Sequence, residues 1–112
     1  MAIITDDYMH QMLDNAREYC VCIIRMTAKR KEPGANKLVW EHARRNFSLR
    51  ADGVLAIVCP IADESGVSGV YIFNTDMQKV TEIMDADPAI KAGIFTYELH
   101  PSRSFPGDEL PR

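Results

Sequence analysis

One predicted helix carries two polar side chains on its otherwise apolar side. At about 100° per residue, the apolar residues of 38–49 fall within an arc of roughly 200°. His42 and Asn46, one turn apart, lie within that arc. A buried polar group without a partner costs about 1–3 kcal/mol, so these two either have structural partners or line a pocket. Because an imidazole exchanges protons near neutral pH, such a pocket would offer general acid–base chemistry.

A second candidate is Asp87, which directly precedes Pro88. Aspartate is a common helix N-cap and proline a common first helical residue, so a purely structural role explains the pair. A structural and a functional interpretation of Asp87 both stay open at this point.

Two further residues are candidates for binding a substrate. Arg25 interrupts an apolar strand, where it could bind a carboxylate between two packed sheets or reach solvent from the strand end. Trp40 and Phe47 share the helix of His42, and we expect the cleft to be lined by one of them and by aromatic residues of the third and fourth predicted strands, 69–74 and 94–100.

Other patterns exclude several kinds of site. Cys20 and Cys22 lack the C-x-x-C spacing of zinc and redox sites, so we interpret them, with Cys59, as core residues. The chain has no phosphate-binding glycine loop and no H-E-x-x-H motif. We expect no metal and no cofactor.

Hydrophobic periodicity predicts a β-α-β-β-α-β core with an extra helix in front, which is the ferredoxin-like α+β order. The predicted strands are 19–27, 54–59, 69–74 and 94–100. The predicted helices are 6–17, a helix capped by Asn36 and running to 51, a helix capped by Thr75 and running to 87, and a short turn over 88–92. The expected domains are an N-terminal helical extension (1–18), the ferredoxin-like domain (19–101) and a C-terminal tail (102–112).

The second and third strands are apolar on both faces, which a sheet with one solvated face would not show. A second copy of the sheet is the simplest cover, so we expect a homodimer with two sheets packed face to face. The front helix also has an apolar stripe, at Met9, Met12, Leu13 and Ala16. We expect this stripe to cover a sheet edge or the dimer seam, on its own subunit or the other.

Composition limits the class of protein. The 112 residues are 46% hydrophobic and 26% charged, with a formal net charge of −3, which fits one small domain without general attraction to nucleic acid or anionic membranes. No apolar run reaches the length of a membrane span, and the N-terminus lacks a signal-peptide pattern. Three cysteines exclude a complete disulfide framework. We therefore expect a cytoplasmic protein with reduced thiols.

The spacing of His42, Gly53 and Pro60, followed by the segment D-A-D-P-A-I-K-A-G over 85–93, resembles the YCII-related (YciI-like) family. The resemblance covers residues 19–101. It implies a ferredoxin-like fold that pairs as a dimeric α/β barrel, with His42 and Asp87 meeting in a cleft. Cys59 departs from the glycine usual in that family, and residues 1–18 are an addition.

The resemblance implies a cofactor-free lyase or isomerase, because relatives include a dehydrochlorinase and the fold is close to that of muconolactone isomerases. His42 would be the general base, Asp87 would orient it, and Asn46 would hold a small cyclic or aromatic acid. Two alternatives remain: a non-catalytic dimeric module that binds a small molecule, and a dimeric α/β barrel monooxygenase. The one-helix placement of Trp40, His42 and Asn46 argues against the monooxygenase.

Overall fold

The computed structural model describes residues 1–112 and contains one four-stranded antiparallel sheet with helices packed on one face. The helices are α1 (Asp6–Asp14), α2 (Ala35–Ala51), α3 (Met77–Asp85) and α4 (Pro88–Lys91), with a short 3₁₀ helix at Ala28–Lys31. The strands are β1 (Arg17–Met26), β2 (Leu55–Pro60), β3 (Val67–Phe73) and β4 (Phe95–Ser104). The strand order β2-β3-β1-β4 is the predicted ferredoxin-like arrangement. No helix combines the length and the apolar character needed to cross a membrane.

Strands β1 and β4 extend beyond their predicted limits at the end of the sheet where Arg17 and Ser104 lie. Arg17 pairs with Ser104 across the β1–β4 ladder, so β1 begins earlier than residue 19 and β4 continues past residue 100. Pro101 lies within β4, opposite Cys20. The sequence pattern missed this extension because proline usually ends a strand, but β4 is an edge strand and tolerates it.

Two helix caps also differ from their predictions. α2 begins after Gly34, whose φ of 87° is left-handed, and Asn36 is not its cap. Asp76, rather than Thr75, caps α3 by accepting a hydrogen bond from the backbone N–H of Lys79. A carboxylate at this position is also favoured by the positive end of the helix dipole.

The core lies between the sheet and helices α2 to α4. Alternate β1 residues Cys20, Cys22 and Ile24 are buried, together with Leu55 of β2 and Phe73 of β3. Burial raises the pKa of the Cys22 thiol to about 12. This thiol therefore stays protonated at neutral pH and packs as a small apolar group, as expected for a core cysteine.

The opposite face of the sheet is also apolar and only partly buried. Cross-strand pairing places Val21 beside Ile72, Ile23 beside Val70, and Ile57 beside Ile72. Cys59 also lies on this face and is only partly buried, so its predicted place in the core is wrong; it follows the irregular register of β2 and pairs with Val70. We call these side chains the open apolar face: Val21, Ile23, Ile57, Cys59, Val70 and Ile72. The prediction that the second and third strands are apolar on both faces is thus confirmed.

Helix α1 packs against little of its own chain. Thr5 caps it by accepting from the backbone N–H of Tyr8, but α1 has no buried residue. Tyr8, Met9 and Leu13 are each about half exposed. The predicted cover of the stripe by an edge of its own sheet is therefore wrong: no α1 side chain is buried within the chain.

The buried packing of β2 gives the first prediction. Leu55 is 0% exposed, so Leu55→Ala removes buried surface and leaves a cavity that costs about 2–5 kcal/mol. Urea unfolding should show this loss, whereas Leu110→Ala, at an exposed tail position, should stay within about 0.5 kcal/mol of the parent. Equal effects of the two substitutions would contradict the assigned core.

Candidate functional site

Three elements bring four polar side chains together beneath the sheet. α2 presents His42 and Asn46, the residue preceding α4 is Asp87, and β3 presents Tyr71. His42 Nδ1 lies 2.7 Å from Asp87 Oδ2, and His42 Nε2 lies 2.8 Å from Tyr71 Oη and 3.3 Å from Asn46 Nδ2. All four residues are at most 5% exposed, so this is a buried hydrogen-bonded network.

The two carboxylate oxygens of Asp87 have separate partners. Oδ1 accepts from the backbone N–H groups of Ala89 at 2.9 Å and Ile90 at 3.4 Å, and thereby caps α4. Oδ2 accepts from His42. Pro88 holds the first helical position, where its missing N–H costs nothing. The capping interpretation and the histidine-partner interpretation of Asp87 are therefore both satisfied in one geometry.

The surroundings of Asp87 keep it ionised. Burial acts to raise the pKa of this carboxyl, but the hydrogen bond and charge of His42 and the α4 backbone N–H groups outweigh burial, and the net pKa lies below its usual value. The guanidinium of Arg45 adds positive charge, with Nη1 3.6 Å from Oδ2. At that distance the two groups form an ion pair but no hydrogen bond, and Arg45 Nη1 has no hydrogen-bond partner elsewhere.

An ionised Asp87 fixes the tautomer of His42. The carboxylate can only accept, so Nδ1 carries the proton and donates it. In the neutral imidazole, Nε2 then holds the lone pair, which accepts from the hydroxyl of Tyr71 and faces the amide of Asn46.

Tyr71 is one of the aromatic residues of the third strand that were expected to line the cleft, but the sequence did not predict its hydrogen bond to His42. Burial is the largest cause that raises its pKa to about 12, so its hydroxyl stays a neutral donor. A Cβ on Gly69 would lie 2.8 Å from Tyr71 Cε1, which shows that the tyrosine ring occupies the space left by this glycine. A glycine inside a strand, two positions from an aromatic residue, was the available signal.

A cavity of about 210 Å³ opens beside this network. Its polar side chains are His42, Asn46, Ser68 and Tyr71, and its apolar walls are Val39, Ala43, Phe47, Val58, Pro60 and Phe95. Phe95 packs edge-on against His42, with ring centroids 5.1 Å apart. Its volume is that of about seven water molecules in the liquid, and no Asp, Glu, Lys or Arg side chain lines it. A small, largely apolar molecule with one or two polar groups fits such a pocket.

The structure does not bring the other two predicted residues to this cavity. Trp40 is 64% exposed and is not part of its wall. Arg25 lies on the sheet face turned away from α2, where it forms an ion pair with Glu98. Phe47, the alternative to Trp40, does line the cavity. No group of three or more His, Cys, Asp or Glu side chains is placed to hold a metal ion.

Comparisons with known proteins give a structural likeness and no sequence relative. No protein-family model matches the sequence, and no curated protein matches it. One solved structure with a similar course of the chain is 5-chloro-2-hydroxyhydroquinone dehydrochlorinase (TftG) from Burkholderia phenoliruptrix AC1100, in complex with 2,5-dihydroxybenzoquinone. It shares 14% sequence identity at a TM-score of 0.49, over 73% of this chain and 90% of that one. Membership of the YCII-related family stays a prediction.

The electrostatics of Asp87 predict how stability depends on pH. Its folded pKa is below the unfolded value, so its contribution is present above the unfolded pKa and is lost as pH falls through the folded pKa. Asp87→Asn should lower the free energy of unfolding near pH 7 by about 1.5–3 kcal/mol, the usual value of hydrogen bonds to a charged group. In urea titrations, the gap to the parent protein should narrow below about pH 5.

The matched control is Asp63→Asn. Asp63 is an exposed turn carboxylate that accepts from Ser65, so its replacement should change stability near pH 7 far less. A gap between Asp87→Asn and the parent that stayed constant down to pH 2 would contradict the assigned ionisation of Asp87.

Proposed function

We propose that the protein is a cofactor-free acid–base enzyme of the lyase or isomerase class that acts on a small cyclic or aromatic acid. The observation that carries this proposal is the buried hydrogen bond of 2.7 Å between His42 and Asp87 at the wall of an apolar cavity. An oriented imidazole at the wall of an apolar cavity is an arrangement that suits general acid–base catalysis. The ring of the substrate would enter the cavity, and its carboxylate would stay at the solvent side because no cation lines the wall.

In this proposal His42 takes up a proton from the substrate and returns it to a different position. Asp87 keeps Nδ1–H in place, so Nε2 is the atom that gains the proton. The resulting imidazolium then lies against the Asp87 carboxylate, with the guanidinium of Arg45 on the same oxygen. Asn46 holds the substrate through its amide.

A second candidate function is non-catalytic binding of a small molecule. The observation that favours it is the completeness of the network, because His42, Tyr71 and Asp87 all have hydrogen-bond partners before any ligand arrives. Buried networks of this kind also serve to specify a unique core. Binding without proton exchange would identify this function.

The test uses muconolactone in D₂O, with deuterium incorporation beside the carbonyl followed by NMR. The parent protein should catalyse exchange, and His42→Gln should reduce the rate by at least about 100-fold, the lower range for a general base. His10→Gln, at an exposed site on α1, is the control and should retain the parental rate. A ligand that bound without exchange would favour the binding module, and exchange that survived His42→Gln would refute the assigned base.

We also propose that the protein is a homodimer joined through the open apolar face. Soluble monomers rarely expose contiguous apolar patches beyond a few hundred Å², and this face consists of six apolar side chains on three adjacent strands. Two such sheets pack with their strands nearly aligned and exclude water between them. The unburied stripe of α1 would pack against the same second copy.

Light scattering at micromolar concentration should therefore give twice the chain mass of 12.6 kDa. Ile72→Lys, which puts a charge beside Val21 and Ile57, should shift the protein to the monomer because a buried unpaired charge is costly. Thr81→Lys, on the exposed side of α3, adds the same charge and should leave the mass unchanged. Deletion of 1–15 should weaken the dimer. A parent protein at monomer mass would refute this interface.

A further inference from the structure

We propose that the hydroxyl of Tyr71, and not the imidazole itself, exchanges the proton with the bound molecule, so that Asp87, His42 and Tyr71 form a relay. This inference rests on the proposed acid–base function and adds a residue to it. It follows from the geometry of the two imidazole nitrogens, the fixed position of the tyrosine ring and the wall of the cavity.

Both nitrogens of His42 are engaged in the folded protein. Nδ1 donates to Asp87, and Nε2 has one lone pair, which the hydroxyl of Tyr71 meets at 2.8 Å. The amide of Asn46 lies on the same nitrogen at 3.3 Å. His42 is only 4% exposed. A proton from a molecule in the cavity reaches Nε2 either through the tyrosine hydroxyl or after that hydroxyl has moved away.

The tyrosine ring is held where it is. Tyr71 lies on β3, which is paired on both sides, with Cys22 of β1 and Val58 of β2 as its neighbours. The edge of its ring fills the space above Gly69, so that an added Cβ would be 2.8 Å from Cε1. Its exposure is 5%. Movement of the hydroxyl away from His42 would require this packing to break, whereas transfer through the hydroxyl requires no movement.

A hydroxyl is suited to pass a proton because it both donates and accepts. The substrate proton moves to Tyr71 Oη while the original proton of Tyr71 moves to His42 Nε2. The bonding electron pair remains on the substrate, which becomes an anion, and His42 becomes an imidazolium beside the Asp87 carboxylate. The reverse transfer returns one proton to another substrate atom in an isomerisation. In elimination the leaving group departs with its electron pair and the proton is released to solvent.

Tyr71 is neutral before and after each transfer. This agrees with the raised pKa of about 12 that burial gives it, because a free phenolate would not accumulate in this site. Asp87, His42 and Tyr71 stand in the order carboxylate, imidazole and hydroxyl. A carboxylate and an imidazole activate a serine hydroxyl in the same order.

The experiment compares Tyr71→Phe with Tyr97→Phe in the deuterium exchange of muconolactone. Tyr71→Phe retains the ring and removes the hydroxyl, which leaves the amide of Asn46 as the one remaining group of the network at Nε2. If Tyr71 is the relay, exchange falls by at least about 100-fold, as for His42→Gln. If the imidazole reacts directly, Tyr71→Phe leaves the rate unchanged or increases it, and the relay is refuted.

Tyr97→Phe is the matched control, because the hydroxyl of Tyr97 donates to Asp85 at 2.7 Å, away from the cavity, and its pKa is also raised to about 12. This variant should retain the parental rate. Loss of exchange in both variants, together with a lower melting temperature in both, would assign Tyr71 a structural role and refute the relay.

A second variant tests the position of the hydroxyl. Gly69→Ala forces the ring of Tyr71 to shift, so exchange should fall in the parent protein but fall no further in the Tyr71→Phe background. Additive losses would refute a positioning role for Gly69 through Tyr71.

The outcomes separate the two proposals. Exchange that His42→Gln abolishes and Tyr71→Phe spares refutes the relay alone. Exchange that survives His42→Gln, or its absence from the parent protein, refutes the proposed function and the relay with it.

Discussion

The buried carboxylate of Asp87 is the group on which the site depends. An ionised side chain with 0% exposure is tolerated only if its oxygens are fully hydrogen-bonded. Here α4 supplies backbone N–H donors to Oδ1, and α2 supplies the imidazole to Oδ2. One side chain therefore ends the loop after α3, starts α4 and fixes the distance between α4 and α2. The same requirement determines the tautomer of His42, because an acceptor-only partner leaves the Nδ1 proton in place.

The cavity follows from how α2 meets the sheet. Residues one turn apart on α2, His42 and Asn46, point at β3, where Gly69 lets the ring of Tyr71 reach the imidazole. Phe95 closes the space from the edge strand β4. The result is a polar network on one wall and apolar walls elsewhere. The low dielectric of this place strengthens the hydrogen bond between the imidazole and Asp87.

The two faces of the sheet have different surroundings. The helix-covered face holds Cys22, Tyr71 and Phe73, which form the core and the site. The open apolar face, with Val21 and Ile72 at its centre, has no cover within the chain. Alternation along each strand makes the two faces independent, so that side chains of the open apolar face can be altered without change to the buried hydrogen-bonded network.

The local patterns of the sequence determined the elements and part of the site. A period of 3.6 residues placed His42 and Asn46 on the buried side of a helix, and the pair Asp87–Pro88 predicted a capped helical turn. These features depend on neighbours within one or two turns, which a sequence displays directly. The ferredoxin-like order also followed, because its strands differ clearly in composition from its helices.

Tertiary structure alone decided which residues meet. Tyr71 is 29 positions from His42, and its role depends on strand pairing and on the space above Gly69, neither of which a local pattern encodes. Trp40 shares the apolar arc of α2 but is exposed, because the sheet covers only part of that arc. Arg25 lies on a partly apolar strand face, yet pairing of β1 with β4 gives it Glu98. The sequence determined which side of each element is apolar, because periodicity is local; which of those apolar side chains are buried, and which of them touch, was decided by packing between distant segments.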